Sequence, residues 1–175
     1  MSESRIPTID LQGADALLLC DASEHNADLY WATDLMAPDP FHYLCDGKRS
    51  IVLMKDLELD RARDQSCCEV LAYSGFEPAT GESGDALHNA LSELGYKHLL
   101  VPAEFPLGIA NKLVAAGFQL TTAGTPLFTE RAIKTASQID AVASTQAAAE
   151  ASMQAAVDAL TQARIDADQL WLDGA

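Results

Sequence analysis

From Ile139 onward, small and apolar residues recur in alternating steps of three and four: Ile139, Val142, Gln146, Ala149, Met153, Ala156, Leu160, Ala163, Ala167 and Leu170. That heptad spacing keeps one seam along one side of a helix, whereas a strand would need a repeat of two. The intervening tract is rich in Ala, the best helix former. At its start Thr135 stands three residues before Gln138, the pattern of a capping box. The spacing predicts one helix from Thr135 to Leu170, roughly 50 Å long at ~1.5 Å per residue. A helix that long outreaches a single small domain, so it is expected to link this domain to another. Leu170, Trp171 and Leu172 at its end ask for burial.

The chain before it reads as alternating elements. Ala16–Cys20 is a short apolar run between Asp15 and Asp21 and suits a buried strand. Asp28–Thr33, with its aromatics, is a second candidate strand. Met36–Phe41 holds Pro38 and Pro40, so it is extended rather than helical. Phe41–Cys45 and Ser50–Met54 flank Asp46-Gly47, a strong hairpin signal. Leu57–Asp64 is polar and reads as a short helix, and Glu69–Tyr73 as a strand. Ser74–Ser83, with Gly75, Pro78 and Gly81, is a loop. Gly84–Leu94 carries Leu87, Leu91 and Leu94 at helical spacing, with Gly95 placed to end it. His98–Val101 is a strand, Pro106–Ala116 a helix and Phe118–Thr121 a strand, with Pro126–Phe128 a last short one. Strands joined by helices predict parallel pairing, and the hairpin adds antiparallel strands. The expected fold is α/β: a mixed sheet of five or six strands flanked by helices, then the long helix. The expected division is residues 1–130 for the sheet domain and 131–175 for the linker helix.

Composition narrows the function. A chain of 175 residues holds one domain and an extension. Its 26 acidic against 11 basic residues leave a net charge of −15, which repels phosphate backbones, so nucleic acid is not an expected partner. The start has no secretory pattern and no run of ~18 apolar residues occurs, so no membrane partner is expected either. Cys20, Cys45, Cys67 and Cys68 match no disulfide framework and read as reduced thiols, which points to a cytoplasmic setting.

The residues raise three kinds of chemistry. Cys20, His25, His42 and Cys45 lack the paired spacing of a zinc site, and on a strand His42 and Cys45 would face opposite ways. Cys67 or Cys68 could meet His88 or His98 in space, yet no nucleophile elbow or phosphate loop accompanies them. Asp56, Glu58, Asp60 and Asp64 interleave with Arg61 and Arg63, the pattern of a solvated helix face with local ion pairs. No catalytic or metal-ligating residue is assigned.

The order of these pieces resembles the amino-terminal domain of the creatinase / Xaa-Pro peptidase family, which includes prolidase and aminopeptidase P. The residues that carry the resemblance are Asp28-Leu-Tyr-Trp-Ala-Thr-Asp34, the strand Ser50-Ile-Val-Leu-Met54, and above all Arg131-Ala-Ile-Lys-Thr-Ala-Ser-Gln-Ile139. The last is similar to the Arg-x-Ile-Lys-Ser/Thr-x-x-Glu-Ile that opens the family's interdomain helix. Gln138 stands where that pattern has Glu, and Asp34 where glycine is common. The resemblance implies a domain with a ribonuclease-H-like sheet that performs no chemistry itself. Catalysis would lie in a following domain, with two divalent metal ions (Mn, Co or Zn) held by two Asp, one His and two Glu. That catalytic domain is expected to be absent from the 175 residues, and the chain to be a piece of a longer enzyme. Implied partners are its own catalytic domain, a second copy in a homodimer, and short proline-containing peptides. Implied contact or substrate-lip residues are Tyr30, Trp31, Asp34, Asp39 and Phe41, around the Pro-stiffened loop. Alternatives are a creatinase-like hydrolase working without metal, and a free-standing interaction module.

Overall fold

The computed structural model describes residues 6–76 and 86–172. The chain folds as two compact units, Met1–Arg131 and Ala132–Ala175. In the first, the elements run β1 (Ala16–Asp21), α1 (Ala27–Thr33), β2 (Phe41–Cys45), β3 (Ser50–Met54), α2 (Leu59–Gln65), β4 (Glu69–Ala72), α3 (Ala86–Glu93), β5 (His98–Val101), α4 (Leu107–Ala115) and β6 (Gln119–Thr122). Six strands form one sheet in the order β4-β3-β2-β1-β5-β6. β2 pairs antiparallel with both neighbours, and the other pairings are parallel. This is the mixed α/β sheet that the sequence pattern predicts.

β1 reads Ala-Leu-Leu-Leu-Cys because both of its faces are covered. Leu17 and Leu19 enter one core with Leu29 and Ala32 of α1, Ala62 of α2, and Phe128. Ala16 and Leu18 enter the other core with Leu87 and Leu91 of α3 and Leu113 of α4. A central strand buried on two sides has no polar face to show, so its sequence does not alternate. Each fully buried leucine contributes about 1.5–3 kcal/mol relative to exposure. At the β2–β3 turn Gly47 holds φ +80, the left-handed region that a Cβ disfavours. Asp46 Oδ1 accepts the Lys48 and Arg49 N–H groups at 2.8 and 2.6 Å, and the Tyr96 hydroxyl donates to Oδ2 at 2.8 Å.

Three expectations for this first unit are corrected. The aromatic run Asp28–Thr33 is helix, not strand: it forms most of α1. Asn26 accepts the Leu29 N–H at 2.9 Å as N-cap, and Asp34 closes the helix at φ 53. Leu29, Ala32 and Thr33 are buried, which is a helical three-and-four spacing. Cap and burial face override the strand preference of Tyr30 and Trp31. Pro126–Phe128 is not a strand. Pro126 has no N–H for a ladder, and the chain turns inward there so that Phe128 fills the first core. Glu69–Tyr73 ends one residue early, because Tyr73 opens a 3-10 turn, Tyr73–Phe76. Residues 77–83 of the expected loop and Gly84 at the start of the expected helix lie outside the described residues.

The second unit holds α5 (Ala136–Gln162), then β7 (Arg164–Asp166) and β8 (Gln169–Trp171), paired antiparallel. The capping box is present: Thr135 Oγ1 accepts the Gln138 N–H at 3.3 Å, and Gln138 Oε1 accepts the Thr135 N–H at 3.0 Å. The expectation that helix continues to Leu170 is corrected. Ala163 is extended, and Ala167 and Asp168 take φ 46 and 63, so the chain reverses as a hairpin. Two successive positive-φ residues are the mark of a tight hairpin turn. At 27 residues, α5 is about 40 Å long. None of its residues is buried.

Candidate functional site

The residues singled out from the sequence gather at the carboxyl end of β1, around α1 and the Pro-containing linker. Asp21, last in β1, starts the arrangement: its Oδ1 accepts the Ala22 N–H at 2.8 Å, and its Oδ2 accepts Asn26 Nδ2 at 3.0 Å. Asn26 in turn caps α1. The linker is tied back by Ser23, whose Oγ donates to Leu35 O at 2.5 Å and accepts the Ala37 N–H at 2.8 Å. Thr33 Oγ1 donates to Leu29 O at 2.8 Å and accepts the Leu35 N–H at 3.2 Å. From α2, Arg61 reaches Met36 O at 2.6 Å while also pairing with Glu58. An irregular segment is thus held by buried hydroxyls and one guanidinium. Several of its backbone polar groups are thereby satisfied without a ladder.

Four of the five candidate residues lie on this rim. Tyr30 is 43% exposed on the outer side of α1. Trp31 is half-buried, its ring 5.2 Å from that of Phe128 and tilted by 35°. Asp34 forms the turn out of α1, and Asp39 is exposed on the linker. The fifth is corrected: Phe41 is 1% exposed and belongs to the core, so it forms no contact surface. Register decides this, because Phe41 pairs with Asp21 and shares a face with Tyr43 and Cys45, all inward. The sequence reading missed Met36, 47% exposed beside Arg61, and the ion pair of Asp28 with Arg131. The two members of that pair lie 103 residues apart, and no local pattern joins them.

Beside the rim, between the ends of β1 and β5, is a small cavity of about 80 Å³ lined by Cys20, Asp21, Asn26, Asp28, Glu104 and Phe105, among others. The carboxyl ends of parallel strands are where open α/β sheets hold ligands. Two of the three acids here are already committed, Asp28 to Arg131 and Asp21 to Asn26 and the Ala22 N–H, and Glu104 is exposed. Burial pushes the Cys20 thiol up to about 11, so it is protonated at neutral pH and no nucleophile. Among the described residues no three His, Cys, Asp or Glu side chains are placed to hold a metal ion.

The other chemical candidates are also dispersed. Cys67 and Cys68 lead into β4 at one edge of the sheet. His98 is on β5, three strands beyond β3, bonded to Thr121 at 2.7 Å, and His88 stands edge-on to Phe118 in the opposite core layer. No cysteine–histidine pair is assembled from them. Arg61 and Arg63 pair with Glu58 and Asp60, and Asp56 accepts the Ser74 hydroxyl at 2.8 Å, as a solvated helix face does.

The architecture recurs in solved structures. The prolidase of Pyrococcus horikoshii superposes with a TM-score of 0.66 at 17% identity, over 87% of this chain and 41% of that one. The fold is that of the amino-terminal domain of prolidases. The X-Pro aminopeptidase of Thermotoga maritima gives 0.64 at 17% identity, over 87% of this chain and 42% of its own. The Xaa-Pro dipeptidase of Bacillus anthracis gives 0.55 at 16%, over 73% and 34%. The chain thus spans about two-fifths of the length of the first two. No family profile matches the sequence, and no curated protein matches it. Among the described residues no helix is long and apolar enough to cross a membrane.

Proposed function

We propose that this chain is the non-catalytic amino-terminal part of an Xaa-Pro peptidase, and that the rim of Tyr30, Trp31, Met36 and Asp39 contacts a partner subunit and narrows access of short peptides to its active site. The observation that carries the reading is the match of 87% of this chain to only 41% of a prolidase. The larger remainder of such an enzyme has room for the chemistry. The rim itself supports a contact role rather than a chemical one. It combines aromatic and thioether surface with a backbone fixed by Ser23, Thr33 and Arg61, so little ordering entropy is lost on docking. The parent reaction would be metal-assisted hydrolysis of the bond before proline. Its two ions would be held by two Asp, one His and two Glu outside this chain, in a cytoplasmic homodimer.

The test is direct. Purified chain, given an Xaa-Pro dipeptide and Mn²⁺, is expected to release no amino acid above buffer; turnover with the chain's own concentration dependence would overturn the assignment. The coding sequence beyond codon 175 supplies the positive arm, since it should encode the five ligands.

A further inference from the structure

Beyond the rim, the molecule gathers two thiols on one oxygen. Adjacent residues of an extended chain point opposite ways, yet Cys67 Sγ and Cys68 Sγ both donate to Ala32 O, at 3.5 and 3.4 Å. Ser66 causes this. Its Oγ donates to Thr33 O at 3.0 Å and accepts the Cys68 N–H at 3.1 Å, which bends the chain just before β4. The Cys67 N–H adds a bond to Thr33 O at 3.1 Å. Cys67 is buried and Cys68 half-buried, at the edge of the sheet rather than at its centre.

We propose that Cys67 and Cys68 form a dithiol site for soft, thiophilic centres, of which trivalent arsenicals are the class that suits two neighbouring thiols. Both sulfurs converge on one point, so a single atom can bridge them with little chain movement. Soft sulfur donors select soft centres over Mg²⁺ or Ca²⁺. The surroundings favour electropositive character, since the carbonyls of Ala32 and Thr33 are at the negative end of α1. They also explain why the pair stays available. The neighbouring Cys67 sulfur, then burial, hold the Cys68 thiol well above its ordinary range, so little thiolate exists for alkylation or oxidation. Condensation with an arsenical needs no oxidant. With phenylarsine oxide the two As–O bonds break, two As–S bonds form, and both thiol protons leave with the oxygen as one water. Arsenic remains trivalent.

The experiment uses the intact chain and phenylarsine oxide. Intact-mass spectrometry is expected to show one adduct at one equivalent, resistant to excess cysteine and reversed by dithiothreitol. Thiol titration after denaturation should find two of the four cysteines blocked. Cys67→Ser and Cys68→Ser should each abolish the cysteine-resistant adduct, while Cys20→Ser and Cys45→Ser retain it. Loss of one or three thiols, an adduct that persists in Cys68→Ser, or one formed only in urea would each overturn the site. The thiol count needs no variant, so a misfolded mutant does not blunt the test.

Discussion

At the scale of single residues, a few polar side chains hold what hydrophobic burial alone leaves undefined. Asp46 is the clearest. Burial raises its carboxyl, but the Lys48 and Arg49 N–H groups and the Tyr96 hydroxyl outweigh that and hold it below its ordinary value of 3.8. A carboxyl depressed by folding stabilises the fold above its unfolded pKa, and that stability is lost as pH falls through the lower, folded value. Asp46→Asn is therefore expected to cost about 1 kcal/mol at neutral pH, discounted for partial exposure. It should also lose less further stability than wild type below about pH 4. Urea unfolding across pH 2–7 reads both, and parallel curves for the two proteins would show that Asp46 is not a titrating support. Asp46-Gly47 was visible in the sequence as a turn. The Tyr96 hydroxyl, 50 residues away, was not, because nothing local records which distant loop will arrive.

At the scale of elements, periodicity was a good guide where one face is buried and a poor one where caps decide. β1, β2, β3 and β5 were legible as apolar runs. The helix at Asp28–Thr33 was not, since its aromatics favour strand and only Asn26, Asp28 and the spacing of Leu29, Ala32 and Thr33 argue otherwise. The end of α5 went the same way. The heptad count carries formally through Ala163, Ala167 and Leu170, but Ala167 and Asp168 adopt positive φ and the helix stops at Gln162. Because no residue of α5 is buried, its start depends heavily on its cap. Thr135→Ala should cost about 1 kcal/mol of local stability. The Gln138 amide, bonded to Thr135 Oγ1, should then exchange with solvent roughly five-fold faster. Unchanged exchange at Gln138 would mean that the box contributes nothing.

At the scale of the molecule, charge and fold are separate determinants. A net charge of −15 on 175 residues repels itself, and counterions screen that repulsion. Raising KCl from 0.1 to 2 M should lift the melting temperature by at least roughly 5 °C, at ~2–4 °C per kcal/mol for a chain of this size. Sorbitol at matched osmolality should give less; an equal effect would point to solvent exclusion instead of screening. The amino acids alone determined the α/β layering, the hairpin at Asp46-Gly47 and the capped helix, because each rests on interactions within a few residues or on a repeat along one element. Only the tertiary structure decided that Phe41 turns inward while Tyr30 stays out, that Arg131 closes on Asp28, and that two neighbouring thiols share Ala32 O. Those outcomes depend on which segments far apart in the chain come to lie together, and side-chain type carries no record of that.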